Sequence, residues 1–205
     1  LWTLLSPLGR RSAYPPDIPF QAAQAREKTY NATIGQITDG RGHILALPSI
    51  APALSGLSEE DRNRAFLYSP VDGIPEVRER WRAWHRRGQR DDIASSLPLV
   101  TVGLTHGVSL TADLFGGDGR VASIPKPFWG NYRLAFAVRT GARIVSAPAF
   151  RSGAYNCEAI AEALADVPEG EPAVGVLNIP SNPSGYSPTV AERARIKASL
   201  LAEAD

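Results

Sequence analysis

Residues 120–147 read RVASIPKPFWGNYRLAFAVRTGARIVSA. An apolar run, Arg120–Ile124, ends at Pro125-Lys126-Pro127, where two prolines forbid both a helix interior and a ladder. Helical spacing then covers Phe128–Arg139, Thr140-Gly141 breaks it, and Arg143–Ala147 is a second apolar run. Two short strands joined through a helix are parallel neighbours, because a parallel pair needs a crossover. The same alternation extends outward on both sides. Upstream, Leu97–Val102 predicts a strand and Thr105–Phe115 a helix. Downstream, Asn156–Ala165 predicts a helix with Ile160, Leu164 and Val167 on one face. Ala173–Asn178 then predicts a strand, and Ser187–Ala204 a helix with Ser187-Pro188 as cap and first residue. The fold class is α/β, a parallel-rich sheet with crossover helices, preceded by an N-terminal arm.

The arm, residues 1–57, is rich in Pro and Gly, with an extended piece at His43–Leu47 and turn signals at Asp39-Gly40 and Arg41-Gly42. Ser58-Glu59-Glu60-Asp61 offers a capping serine and first-turn acids for a helix. Pro75 opens the next helix, with Val77, Trp81 and Trp84 on one face and Gly88 as its stop.

Composition bounds the function. The chain has 205 residues, a net charge of +1, 43% hydrophobic and 21% charged residues, values of an ordinary globular domain. Near-neutral charge leaves no electrostatic footprint for nucleic acid. No apolar run reaches the ~20 residues of a membrane helix, and the first residues lack the order of a signal peptide. A single cysteine, Cys157, excludes an intramolecular disulfide and a four-cysteine zinc site, and fits a cytoplasmic location. No metal site is expected. The sequence contains no methionine, even at position 1, so we expect a piece of a longer chain.

In an open α/β sheet, ligands bind beyond the carboxyl ends of the strands, and three segments there carry chemistry. Gly103-Leu104-Thr105-His106-Gly107 is a glycine turn entering a helix, which can serve as an anion site through free N–H groups and the dipole; alone, it reads first as a plain strand–helix turn whose glycine allows tight packing. It is neither a Walker loop nor a dinucleotide GxGxxG. Pro125–Tyr132 puts aromatics beyond a strand, where a ring can stack on a flat heterocycle or serve as a hydrophobic plug. Asn178-Ile179-Pro180-Ser181-Asn182-Pro183-Ser184-Gly185 is a rigid, shaped loop holding Asn182, and alone it is turn chemistry.

Taken jointly, with NATIG (31–35), YSPVDGIPEVR (68–78), VTVGLTHGV (100–108), PKPFWGNY (125–132) and NIPSNPSG (178–185), the chain from about Asn31 onward resembles the fold-type I pyridoxal-phosphate enzymes. Within them it is most similar to the class I/II aminotransferases of the aspartate and aromatic type. The resemblance implies pyridoxal 5′-phosphate as cofactor and an amino acid and a 2-oxo acid as substrates. It makes Leu104 and Thr105 binders of the cofactor phosphate, Trp129 the ring stacked on the pyridine, and Asn182 the donor to the cofactor's 3′-oxygen. Gly35 lies beside the substrate carboxylate, and Tyr68 reaches the neighbour's cofactor phosphate across a homodimer with shared sites. Pro127 and Pro183 match positions often preceded by cis bonds. His106 is assigned to packing, and His43 and His85 to the surface.

The departures are as informative. The Schiff-base lysine of the family has a Ser/Thr-x-Ser/Ala-Lys context, which Lys28, Lys126 and Lys197 all lack, so no catalytic residue is assigned. The aspartate partner of the pyridinium nitrogen and the carboxylate-clamping arginine also have no match. On this resemblance residues 1–57 are the arm and part of a small domain, and residues 58–205 an incomplete cofactor-binding large domain, inactive alone. A lyase or synthase on the same scaffold, or a non-catalytic ligand-sensing domain of a regulator, would share these motifs. For the regulator, the segment before Asn31 is too short and proline-rich to be a winged helix.

Overall fold

A computed structural model describes residues 2–12, 18–31, 33, 35–87 and 94–202. In chain order a 3-10 helix (Trp2–Leu4) and five α-helices precede residue 101: α1 (Pro7–Arg11), α2 (Ile18–Ala25), α3 (Ile50–Ser55), α4 (Glu59–Arg64) and α5 (Pro75–His85). Then follow α6 (Gly103–Phe115), β1 (Val121–Ser123), a π-helix (Arg133–Thr140), β2 (Arg143–Val145), β3 (Phe150–Arg151), β4 (Ala154–Tyr155), α7 (Ala159–Leu164), β5 (Ala173–Gly175) and α8 (Val190–Ala202). Contacts group the chain into two units, Leu1–Tyr14 with Val102–Asp205, and Pro15–Thr101.

The first unit holds the sheet, three parallel strands in the order β2-β1-β5. β1 is central and all three of its residues are buried, as expected of a strand covered on both faces, which reads as a continuous apolar run. Ala122 and Ile124 point into a core made with Ala112 of α6 and with Tyr132, Ala135 and Phe136, the last two on the π-helix. On the opposite face, the buried Ser123 hydroxyl donates to the Ile160 carbonyl of α7 at 3.2 Å. Crossovers to opposite sides of β1 therefore carry their helices to opposite faces, as the handedness of such connections requires. The π-helix, one residue wider per turn than an α-helix, stops at Gly141, whose φ of 84° is a left-handed C-terminal cap.

Each expected strand of the sheet downstream of residue 120 is present, though shorter, and the helices at 103–115 and 75–85 lie where expected. Three expectations are corrected. Leu97–Val102 joins no ladder among the described residues. Its Val100 N–H goes instead to the Asp72 carbonyl at 3.1 Å, and Leu99 and Val100 stay exposed. The last helix starts at Val190, because Thr189 and Glu192 form a reciprocal capping box (Thr189 N–H to Glu192 Oε2, 2.7 Å; Glu192 N–H to Thr189 Oγ1, 3.2 Å). Pro188 is buried ahead of it. Third, Phe150–Tyr155 forms an antiparallel hairpin turned at Ser152 and Gly153, both at positive φ, which the expected pattern did not contain.

The second unit is helical. Ser58 caps α4, accepting the Asp61 N–H at 3.0 Å, and Pro75 opens α5, both as read from sequence. Gly88, its expected stop, lies outside the described residues, and the helix ends at His85. Trp81 and Trp84 meet with centroids 5.2 Å apart. At 37–45 the chain reverses through Gly42 (φ 85°) with a bridge between Thr38 and Ile44, matching the turn signals there.

Candidate functional site

Because β1 and β5 are parallel and α6 runs antiparallel into β1, the start of α6 and the two loops leaving β1 and β5 share the carboxyl end of the sheet. α6 opens on Gly103 at φ 74°, a left-handed value that favours glycine. The first N–H groups of a helix have no intrahelical acceptor, and here Leu104, 69% exposed, and the exposed Thr105 carry them. The Thr105 hydroxyl accepts from Asn131 Nδ2 at 3.2 Å, which leaves its own proton to donate elsewhere. His106 is exposed rather than packed. Its Nδ1 lies 3.1 Å from the Val102 N–H, so the ring accepts there and closes the turn, a role that short-range sequence reading assigned to packing.

The loop leaving β1 lies between the other two segments. Lys126-Pro127 is cis, and Lys126 is fixed by backbone bonds, its N–H to Ala147 O and its carbonyl from Ala149 N–H. Phe128 and Trp129 are partly buried against the core, and Trp129 meets Tyr132 edge to face at 5.7 Å. Burial of Tyr132 pushes its phenol above the ordinary value. Beside this loop lies a cavity of about 400 Å³ walled by Thr105, Ser109, Asn131, Leu134, Val138 and, from α1, Leu8. Arg139 opens onto it but is committed to Asp113 through two bonds, 2.8 and 3.0 Å. That fork holds the Asp113 carboxyl below the usual range.

On the other side, Pro127, Phe128 and Tyr132 face Asn178, Ser181 and Asn182 across a cleft of about 20 Å³. Both Ile179-Pro180 and Asn182-Pro183 are cis. The Asn178 amide, oriented with its nitrogen toward the Pro180 carbonyl, also accepts the Asn182 N–H, each at 3.0 Å. The loop closes on itself through Gly185 N–H to Ser181 O at 2.6 Å and Ser181 N–H to Tyr186 O at 2.9 Å. Asn182 is left exposed at the tip.

Thr105 and Asn182 therefore sit in one unit, each against the aromatic loop, which also carries Trp129; Leu104 adjoins Thr105 in sequence. Gly35 and Tyr68 belong to the other unit; both are exposed, Tyr68 by 94%. Of the NATIG segment, Ala32 and Ile34 lie outside the described residues. Sequence reasoning missed Asn131 and Asn178 as partners. Both stood in the quoted motifs, but which backbone or hydroxyl they meet is decided by tertiary contact. His43 is on the surface as expected, 2.9 Å from Asp39. Among the described residues no group of three His, Cys, Asp or Glu could hold a metal ion, and no helix is long and apolar enough to cross a membrane.

A family model described as aminotransferase class I and II matches residues 28–200. No curated protein matches the chain. Among solved structures, an aminotransferase from Anaerococcus prevotii is similar over 95% of this chain and 50% of its own, at 22% identity and a TM-score of 0.77. The aspartate aminotransferase from Saccharomyces cerevisiae cytoplasm is similar over 98% of this chain and 50% of its own, at 22% identity and 0.72. An aminotransferase from Mycobacterium tuberculosis gives 25% identity over 94% and 48%, at 0.63. The chain spans about half the length of these structures.

Proposed function

The chain belongs to the aminotransferase class I and II family, and from that premise we propose a pyridoxal-phosphate-dependent enzyme that moves an amino group between an α-amino acid and a 2-oxo acid. The observation that carries the reading is the start of α6, where exposed first-turn N–H groups meet a threonine hydroxyl already oriented by Asn131. This donor set fits a phosphate: backbone N–H groups, a dipole end and a spare O–H converge with no side-chain carboxylate among them. Leu104 and Thr105 would hold the phosphate, Trp129 would cover the ring, and the Asn182 amide would donate to the 3′-oxygen. The cofactor, when bound, supplies an electron sink for breaking bonds at the amino acid's α-carbon. The loop after β1 limits water on the ring's flank through its apolar Phe128 and Trp129.

Gly35 is proposed beside the substrate carboxylate, and Tyr68 as a donor to the phosphate of a second copy in a homodimer. The lysine that carries the cofactor is proposed to lie outside residues 1–205, since Lys28, Lys126 and Lys197 lack its context. We assign residues 1–57 to the arm and part of a small domain, and 58–205 to part of the large domain. A cytoplasmic location is supported by the free, buried Cys157.

The test uses the full-length protein. Adding pyridoxal phosphate should produce a visible absorbance band that borohydride abolishes, and labelled amino nitrogen should pass from a donor amino acid to a 2-oxo acid. A cofactor band without nitrogen transfer would favour a lyase or synthase. An unchanged spectrum would overturn the reading.

A further inference from the structure

We propose that Tyr186 is a positioning residue for Asn182, holding the 178–185 loop through an aromatic clamp and a carboxylate; this rests on the aminotransferase reading of Asn182. The loop is neither helix nor strand, so its tip is only as fixed as its closure. Tyr186 supplies that closure at three levels. Its carbonyl accepts the Ser181 N–H at 2.9 Å, the residue directly before Asn182, and its N–H donates to Ser184 Oγ at 3.3 Å. Its ring stacks on Tyr155 (5.1 Å, 15° between planes) and lies edge-on to Phe150 (5.2 Å, 85°). Those two rings themselves meet at 5.6 Å across the hairpin. Its hydroxyl donates to the Glu192 carboxylate, 2.9 and 3.0 Å from its two oxygens.

Each anchor is fixed by something else. Tyr155 and Phe150 are cross-strand partners in β3–β4. The hairpin is joined to α7 by the Arg151–Glu162 fork, with both bonds at 3.0 Å. Glu192 is held by the Thr189 N–H at the start of α8. The loop's exit is thus tied to a hairpin and two helices, while Asn178 ties its entry. A side chain that merely filled space would need neither the stacked geometry nor the hydroxyl link. The combination restricts the rotation of the Ser181–Tyr186 pair that brackets Asn182.

The experiment uses full-length protein with Tyr186→Leu, Tyr186→Phe, Asn182→Ala and the Asn182→Ala/Tyr186→Leu double variant. In the cofactor-free form, hydrogen exchange over 178–186 should rise about tenfold in Tyr186→Leu, the equivalent of losing the two ring contacts, with α6 unchanged as the folding control. Tyr186→Phe, which keeps the rings, should show a smaller rise. In the loaded form, the pH midpoint of the visible band should move in Tyr186→Leu in the direction Asn182→Ala moves it. The double variant should match Asn182→Ala alone. A midpoint unmoved by Tyr186→Leu, or moved additively with Asn182→Ala, overturns the inference while leaving the cofactor reading intact. Absence of any band in the unsubstituted protein overturns both, and the exchange data then report the clamp as a structural feature only.

Discussion

Glu192 accepts from the Thr189 N–H and from the Tyr186 hydroxyl, and these bonds, the backbone one first, hold its carboxyl below the ordinary value. A carboxyl whose pKa is lower folded than unfolded contributes stability that is complete above the unfolded value, about 4.3, and disappears as pH falls through the folded one. Tyr186 has the opposite displacement, raised chiefly by its bond to Glu192. Its contribution is present below an unfolded value of about 10 and disappears as pH rises through the folded one. Exchange protection over 181–192 should therefore be flat between these limits and fall at both ends, whereas Glu192→Gln should abolish the acid limb and, by removing the charge that raises Tyr186, move the alkaline limb to lower pH. A protection profile that is unaltered at acid pH in the unsubstituted protein would refute the linkage. The cap itself was legible in Thr189-x-x-Glu192, yet Ser187-Pro188 satisfies a competing local rule, a capping serine followed by proline, two residues earlier. The hydrogen bonds decide between the two rules.

At the scale of elements, an apolar run was enough to read the strands that pair in the sheet. β1 lies in such a run because helices cover both its faces, and β2 and β5, partly exposed at the edges, pair with it. Leu97–Val102 has a similar apolar run but joins no strand ladder among the described residues, and strand pairing is a tertiary property that a run of apolar residues does not encode. The hairpin at 150–155 has the reverse defect: strands of two residues are too short for periodicity, and only Ser152-Gly153 signalled it. The 97–101 segment is nevertheless anchored, at Pro98 and Val100. Gly73, buried at φ 101°, ends a turn from Pro70, and a Cβ added there would lie inside the Val100 side chain. Next to it, Arg78 bonds Asp72 and donates to the Pro98 carbonyl at 2.7 Å. Gly73→Ala combines backbone strain with this overlap, so a loss of about 1–3 kcal/mol is expected. Thermal melts and exchange over 70–101 would measure it. In the core of the other unit, Phe136→Ala should cost about 3–5 kcal/mol, because its ring is 2% exposed. The first variant should spare the exchange of β1, and the second should not.

On the scale of the whole molecule, what was legible was the site's loops and what was not was their completion. Gly103, Pro127, Pro183 and Gly185 impose backbone shapes that few other residues adopt, so the segments bearing Thr105, Trp129 and Asn182 carried their geometry in their own sequence. The proposed roles of Gly35, beside the substrate carboxylate, and of Tyr68, toward a second copy, are carried by no local pattern. The same distinction governs the free edge of the sheet. Among the described residues β5 is an edge strand, and beside it Leu177, Ile179, Ile196, Leu200 and Leu201 line an apolar groove of about 380 Å³. An uncovered edge with apolar flanks is a template for association, so residues 1–205 expressed alone should self-associate, and Leu177→Lys should shift light scattering toward monomer. The lysines give the sharper test of the site. Lys126 is the one nearest the predicted cofactor loops in sequence, and its backbone is pinned on both sides of the peptide. Lys197 lies along α8 within the apolar groove, and Lys28 in the N-terminal arm. None has the sequence context of a cofactor-carrying lysine, so the 1–205 polypeptide should bind pyridoxal phosphate weakly and without a covalent bond. Borohydride followed by peptide mass analysis should find no saturable, stoichiometric adduct on any of the three. A stoichiometric adduct on Lys126 would place the cofactor's anchor within these residues and overturn the assignment of that role to a lysine beyond them.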